Sequence, residues 1–539
     1  MTKLLRTAFV IFLISFLERS SCQVPPIPPP ILSFNYSNTL SDSAVLQRNV
    51  NASIFGFGPI FAHFSISLIN NNNTVTSITQ GIIGSDATWR VTLPKQSASG
   101  PWIILGNLTT GMWVPSNSTM SWKLNDIYFG DVFICGGQSN MAFGLGETSN
   151  ATADIAASIN YSNIRIVNSA FSFQNFSQNQ QATSESKWMI ASPETIAGFS
   201  AVCYLTATRI SDYFQGKVPF GLIDTSVGGT AAQLWLPPRY ASSCANVREF
   251  EDWGPPWTLS CWYNGMVSPW TQHDITAILW DQGENNIDSD PNLDLACLTS
   301  AVVTSWREAF HSPNAPFFFI QLPAYPRNND TALGAGRDAQ LVVADTLSNV
   351  GYAVTVDLGD AYIVCDNSNP PNCYPGSIHN RDKDLVANRL APAVLVGVYG
   401  AADFPYLSPR YESATQTSDS TVTVSLTKSA LTSSALPLHL APPVFSSNSS
   451  WCPNDGGNQR RVFDQTCGWF EILYNDGLWR NATVEISPTG DSILLTTTGS
   501  QGLKAIATKN GYADWPVVSV YTKSGLPLVP WGPRNISQS

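Results

Sequence analysis

The sequence predicts an α/β protein: a parallel sheet covered by helices on both faces, flanked on either side by an all-β domain. Three observations predict it. Between about residues 124 and 400, apolar strand-like runs at 127–134, 220–223, 275–280, 317–322 and 352–356 have helical patterns between or after them. Those patterns, at 201–214, 296–310 and 384–398, carry apolar residues at three- and four-residue spacing. On either side of this section the helical spacing is replaced by short strand signals bounded by Gly, Asn and Pro. The length, 539 residues, exceeds what a single core serves and is consistent with two or three domains.

Taken in order, residues 1–22 read as a secretory signal. Lys3 and Arg6 give a positive start, 8–17 is an apolar run, and Ser20 and Ser21 precede a cut near Cys22. The run is short for a bilayer span, and no later segment reads as an anchor. The mature chain is expected to be soluble and either secreted or lysosomal. Residues 24–30 are a Pro-rich lead-in. The N-terminal β domain, 23–123, has strand signals at 52–58, 64–69 and 89–93. The α/β section, 124–400, follows. The C-terminal β-rich domain, 401–539, has strand signals at 421–426, 470–474, 478–486, 493–497 and 517–521, with a hairpin turn at Asn475-Asp476-Gly477.

Twelve Asn-x-Ser/Thr triplets begin at Asn35, Asn51, Asn72, Asn107, Asn117, Asn150, Asn160, Asn175, Asn329, Asn448, Asn481 and Asn535, as suits a secretory glycoprotein. Ten cysteines agree with an oxidising compartment. Cys22 leaves with the signal or lies at the new terminus. Short separations favour the disulfides Cys244–Cys261, Cys365–Cys373 and Cys452–Cys467. Cys203 is then expected to pair with Cys297, leaving Cys135 as a small buried residue.

The formal net charge is −11 and only 12% of residues are charged, so a nucleic-acid ligand is disfavoured. The five histidines are scattered and the cysteines lack paired C-x-x-C spacing, which argues against a metal site. No phosphate-cradling Gly-rich loop is present, and no cofactor is expected. Nothing in the residues indicates an oligomeric state.

Chemistry concentrates where the apolar runs end. Ligands of parallel sheets bind beyond the carboxyl ends of the strands. Gly137-Gln138-Ser139-Asn140-Met141 follows the first run, Gly228-Gly229 the second, and Gln282-Gly283-Glu284-Asn285 the third; Ser377-Ile378-His379 lies late in the section. A serine just past a strand end is free to attack a carbonyl, provided that a base and oxyanion donors are at hand. Any one of these pieces alone reads as a turn; four in order favour a site. Met141 stands where a nucleophile elbow has its second glycine, so that motif is excluded. His63, His273, His311 and His439 read as surface or satisfied core residues.

The segment Gly130-Asp131-Val132-Phe133-Ile134-Cys135-Gly136-Gly137-Gln138-Ser139-Asn140-Met141 resembles the first block of the SGNH-hydrolase (GDSL-like) superfamily, and more closely its sialate O-acetylesterase branch. The resemblance includes Val45-Leu46-Gln47-Arg48, Phe55-Gly56-Phe57-Gly58 and Trp89-Arg90-Val91-Thr92-Leu93-Pro94. It continues through Gly221-Leu222-Ile223 with Val227-Gly228-Gly229-Thr230 and Trp235, and Trp262-Tyr263-Asn264-Gly265-Met266. It ends with Leu279-Trp280-Asp281-Gln282-Gly283-Glu284-Asn285-Asn286, Asp357-Leu358-Gly359-Asp360 and Ser377-Ile378-His379-Asn380-Arg381-Asp382-Lys383. It covers about residues 40–400.

The resemblance implies an SGNH-type three-layer α/β/α domain and a serine esterase. Ser139 would be the nucleophile and His379 its base. The oxyanion donors would be the N–H groups of Ser139 and Gly229 and a side chain from Gln282 or Asn285. Many SGNH enzymes have an Asp three residues before the histidine; that position here is Gly376. Glu284 is the preferred carboxylate, with Asp357, Asp360 and Asp366 as alternatives. Arg337 and Arg381 are candidate contacts for a sialic acid carboxylate. The implied substrate is an O-acetylated sialic acid or sialoglycan. An acetylxylan or other carbohydrate acetylesterase is the alternative, and a non-catalytic glycan-binding protein the second alternative.

Overall fold

The N-terminal β region is built around one aromatic cluster, in which Phe34, Phe64 and Tyr36 pack on the buried indole of Trp89. The structure is a computed structural model that describes residues 33–110, 120–178, 186–240, 244, 258–289, 294–325, 331–360, 376–441, 469–516 and 518–537. Strands β1 (Asn35–Tyr36), β3 (Ser53–Phe57) and β6 (Thr88–Thr92) form a small antiparallel sheet. The others are β2 (Val45–Gln47), β4 (His63–Ile69), β5 (Val75–Ile82) and β7 (Ser99–Thr110). All four belong to the same sheet as β8 (Ser121–Gly137).

Strand β8 serves two environments. Its first half pairs antiparallel with β7, from Asn107↔Ser121 to Ser99↔Phe129. Its second half is parallel to its neighbours on both sides. The burial pattern changes accordingly, from mixed exposure to nine consecutive buried residues, 129–137. Asp131 sits at the changeover, gripped by Arg48 Nε and Nη2 at 2.9 and 2.8 Å and by the Tyr399 hydroxyl at 2.8 Å.

The central strands are β9 (Ile164–Asn168), β10 (Met189–Ile190), β11 (Phe220–Ser226), β12 (Ala277–Asp281), β13 (Phe317–Ile320) and β14 (Val350–Ala353). They run in the order β10-β9-β11-β8-β12-β13-β14, parallel except for β10 at the edge. Among the described residues the α-helices are α1 (Ser139–Ala142), α2 (Ala151–Ala157), α3 (Ala201–Tyr213), α4 (Glu284–Ser289), α5 (Leu295–Ala309), α6 (Ala332–Thr346) and α7 (Lys383–Tyr399). Side chains alternate along β8. Val132 and Ile134 pack with Leu298, Val302 and Trp306 of α5 and Leu341 and Val343 of α6. Phe133 and Cys135 pack with Val202, Cys203 and Leu205 of α3 and Leu390 and Val394 of α7. The sheet therefore has a separate core on each face.

Helices begin where the sequence offers caps. Ser200, Asp294 and Asp382 accept the N–H of Cys203, Cys297 and Leu385. Helix α7 ends on Gly400 in the left-handed region. Helix α6 is not anticipated from the sequence, because Gly334, Gly336 and Arg337 interrupt its apolar stripe. Both glycines are required by packing: a Cβ at Gly336 would lie 2.8 Å from Ile287, and one at Gly334 3.0 Å from the Tyr512 ring.

The disulfides correct the expected pairing. Cys135 is bonded to Cys203, and Cys244 to Cys297, so neither Cys244–Cys261 nor Cys203–Cys297 forms and Cys135 is not a free thiol. Short separation favoured the wrong partners, whereas alternation along β8 points Cys135 at α3. Cys365, Cys373, Cys452 and Cys467 lie outside the described residues.

Beyond Gly400, seven strands between Tyr411 and Asn535 form an antiparallel sheet with its own core. The expected Asn475-Asp476-Gly477 turn closes one hairpin, with Gly477 at positive φ and its N–H on Tyr474 O. This sheet is attached through Arg337, which is 1% exposed. Arg337 Nε donates to Leu322 O (2.8 Å), Nη1 to Ala513 O (2.7 Å), and Nη2 to Pro323 O (2.8 Å) and Asp514 O (3.0 Å). Arg337 therefore clamps α6 to the C-terminal region and does not face a substrate, correcting the expected carboxylate contact. Replacing it by methionine leaves four interior carbonyls short of donors. We expect Arg337→Met to cost at least about 3 kcal/mol. A calorimetric melt matching wild type would contradict this.

Candidate active site

Strand β8 ends on Gly137, whose φ is +141°. A Cβ there would come within 2.1 Å of Asp281 O, so glycine lets β8 and β12 close against each other at this end. The chain then turns into α1. Gln138, Asn140 and Met141 are buried, while Ser139 at the first helical position stays partly exposed.

Two loops meet this serine. After β11, Val227 N donates to Gly137 O (3.1 Å), and Thr230 Oγ1 donates to Val227 O (2.7 Å), closing a tight turn. Gly228 and Gly229 are exposed on that turn, Gly229 at φ +73°. A Cβ on Gly228 would stand 3.4 Å from Ser139 Cβ, so the loop lies against the serine. After β12, Gln282 and Gly283 lead into α4. Gln138 Oε1 accepts from Asn285 N (3.1 Å) and Gln282 Nε2 (3.3 Å), binding this block to the serine turn.

Gln282 and Asn285 occupy different environments. Gln282 is 1% exposed, and its Nε2 also reaches Thr230 O (3.2 Å) and Asn286 Oδ1 (2.6 Å). Asn285 is only partly buried, and its Nδ2 donates to Gly229 O at 2.9 Å. Of the two amides, Asn285 is the one beside Gly229 with access to solvent.

His379 follows the turn at Gly376, whose φ is +76° and whose carbonyl accepts the His379 N–H. The imidazole stacks on Phe143, just after α1, at 6.1 Å between centroids. Asn140 Nδ2 donates to Ile378 O at 3.0 Å. The residue after the serine is thus bonded to the residue before the histidine, and the two segments share one rim of the sheet.

Asn140 has two further partners. Nδ2 lies 2.5 Å from Glu284 Oε1, and Oδ1 accepts from Lys383 Nζ at 2.7 Å. The ammonium also sits 5.2 Å over the Phe143 ring. Glu284 and Lys383 are buried, as is Asp281 nearby. Burial pushes the Glu284 carboxyl up to about 8, and the Asp281 charge adds to this. Asp281 is raised to about 6 by burial, opposed by Lys383. Lys383 is lowered by burial. Asn140 and Lys383 were visible within the sequence motifs without an evident role. Their partners lie more than a hundred residues away, so spacing did not reveal them.

Two of the alternative carboxylates hold arginines. Asp357 takes a fork from Arg389 (2.6 and 2.7 Å) and the Tyr521 hydroxyl (3.2 Å). Asp360 holds Arg381 through Nε (2.5 Å) and Nη2 (3.0 Å). Arg381 is partly exposed two residues from His379. Asp366 lies outside the described residues.

Residues 129–362 match the family described as carbohydrate esterase, sialic acid-specific acetylesterase. That span holds Ser139, Gly229 and Glu284 but ends before His379. The sialate O-acetylesterase of Rattus norvegicus is 26% identical over 433 residues, covering 70% of this chain and 76% of its own. The Homo sapiens sialate O-acetylesterase is 26% identical over 402 residues, covering 70% and 73%. A solved carbohydrate acetylesterase from Xanthomonas citri has the same fold, with a TM-score of 0.73 over 92% of this chain and 98% of its own at 21% identity.

The buried carboxyl has a measurable consequence. Its value in the folded protein exceeds the ordinary 4.5, so the native state keeps a proton that the unfolded chain has lost. Stability should therefore fall as pH rises from about 4.5 to about 8. We expect Glu284→Gln to flatten that fall in urea unfolding at pH 5 and pH 8. An equal fall in both proteins would refute the assignment.

Proposed function

We propose that this chain, a member of the sialate O-acetylesterase family of carbohydrate esterases, removes O-acetyl groups from sialic acids by way of an acetyl-serine. It is a carboxylic ester hydrolase. Ser139 Oγ attacks the acetyl carbonyl carbon while His379 takes its proton. The oxygen turned anionic receives the N–H groups of Ser139 and Gly229 and the Asn285 amide. The bond to the sugar oxygen breaks, and His379 returns the proton to that oxygen. Water then adds to the acetyl-serine, giving its proton to His379; the bond from the acetyl carbon to Ser139 Oγ breaks, Oγ takes the proton back from His379, and acetate leaves. Glu284 supports the pair through Asn140, whose amide spans the serine turn and the Ile378 carbonyl.

The Asn140 bridge carries this reading: one buried side chain bonds both to the segment holding His379 and to the block holding the oxyanion candidates. Arg381 is retained as a candidate contact for the sialic acid carboxylate. We read residues 124–400 as an SGNH-type three-layer domain between β domains at 23–123 and 401–539, after a signal at 1–22. A secreted or lysosomal location agrees with the Cys135–Cys203 and Cys244–Cys297 disulfides. Among the triplet asparagines, Asn51, Asn72, Asn150, Asn160, Asn175, Asn481 and Asn535 are exposed, and Asn35 and Asn107 are partly buried. Asn117, Asn329 and Asn448 lie outside the described residues.

Acetate release tests the proposal. Wild type should act on O-acetylated sialic acid and not on acetylated xylan; the reverse preference would overturn the substrate. Ser139→Ala should lose at least about a thousandfold in kcat, and His379→Ala at least about a hundredfold. Asn285→Ala should lower kcat about a hundredfold with little change in KM. Near-normal turnover by Ser139→Ala would remove the serine mechanism.

A further inference from the structure

We propose that Phe171, Phe173 and Phe176 form a platform on which the sugar rings adjoining the esterified residue stack, beside the rim that carries Ser139. This rests on the reading of the protein as a glycan acetylesterase. The segment follows Asn168 at the carboxyl end of β9, on the same sheet edge as Ser139. Phe171 is 72% exposed, Phe173 40% and Phe176 80%, three large apolar rings within six residues. Single exposed apolar residues are ordinary, but a cluster marks a contact surface.

The cluster is built rather than loosely hung. Gln174 N and Gln178 N donate to Cys261 O and Asn264 O, both at 3.0 Å. The buried Asn264 side chain accepts from Ser177 Oγ (2.9 Å) and donates to Gln174 O (3.1 Å). A Cβ on Gly265 would lie 2.0 Å from Ser172 O, so the two backbones are in close contact. The backbone is anchored at several points, yet the phenyl rings turn outward.

A continuous path joins the platform to the site. Phe171 and Phe173 meet the Trp262 indole edge-on at 4.9 and 5.7 Å, and Trp262 stacks on Trp235 at 6.2 Å. Trp235 Nε1 donates to Thr230 Oγ1 at 2.9 Å, next to Gly229 on the loop against Ser139. Strands β9 and β8 are two spacings apart, about 10 Å. That places the rings beyond the esterified sugar and within reach of its neighbours. A pyranose offers an apolar C–H face that buries well on an aromatic ring while its hydroxyls stay in water. An anionic lipid surface is disfavoured by the net charge of −11. A glycan on Asn175, within the cluster, would compete for the same rings.

The double variant Phe171→Ala/Phe176→Ala tests this against three substrates: a chromogenic acetate ester, free O-acetylated sialic acid and an O-acetylated sialyl-oligosaccharide. We expect KM for the oligosaccharide to rise about fivefold to tenfold, with kcat and both small substrates unchanged. Phe171→Tyr/Phe176→Tyr should retain the wild-type KM. If the double alanine variant loses ester turnover through misfolding, Phe176→Ala alone is measured, with the same expected direction. An unchanged oligosaccharide KM overturns the platform, whether the rings are idle or covered by the chain's own glycan. A wild type that cleaves the chromogenic ester but no acetylated sugar overturns the glycan reading itself, and the platform with it.

Discussion

The Asn140 amide brings together three stretches of chain that are far apart in sequence. Its oxygen accepts from the Lys383 ammonium at the start of α7, and its nitrogen donates to Glu284 at the start of α4 and to Ile378 O. The Asn140, Glu284 and Lys383 side chains are buried, where hydrogen bonds are strengthened and an unpaired group is costly. Losing any partner would leave a charge or an amide unmatched in the interior. Ser139 precedes Asn140 and His379 follows Ile378, so the same side chain sets the relation between the two segments. A charge-assisted amide fits this role because it has both donors and an acceptor to distribute.

The charges around it are individually unfavourable. Burial raises Asp281 and Glu284 and lowers Lys383, so each would give up its charge more readily than in water. The Lys383 ammonium offsets part of that cost for both carboxyls, whereas Asp281 adds to it for Glu284. The Phe143 ring extends the cluster toward the surface, with the ammonium near its face and the His379 imidazole stacked on it.

Position along the sheet comes from β8. One end of this strand is paired within the N-terminal β region, and the other ends at the serine turn. Asp131, held by Arg48 and Tyr399, ties the changeover to both the lead-in after β2 and the end of α7. The N-terminal region is thereby part of the support for the site. The Arg337 clamp makes a comparable connection for the C-terminal sheet.

Much of this was legible in local pattern. Apolar runs ending in Gly-Gln-Ser-Asn, Gly-Gly and Gln-Gly-Glu-Asn announced a parallel sheet with chemistry at its carboxyl edge, because strand period, turn glycines and helix caps act over a few residues. Three-residue spacing also located α3, α5 and α7. What spacing did not reveal was partnership across the fold. Cys135 meets Cys203 because alternation on β8 aims it at α3, Arg337 turns inward to four carbonyls, and Asn140 meets Glu284, Ile378 and Lys383. Those pairings depend on which segments the folded sheet brings together, and only the tertiary structure decided them.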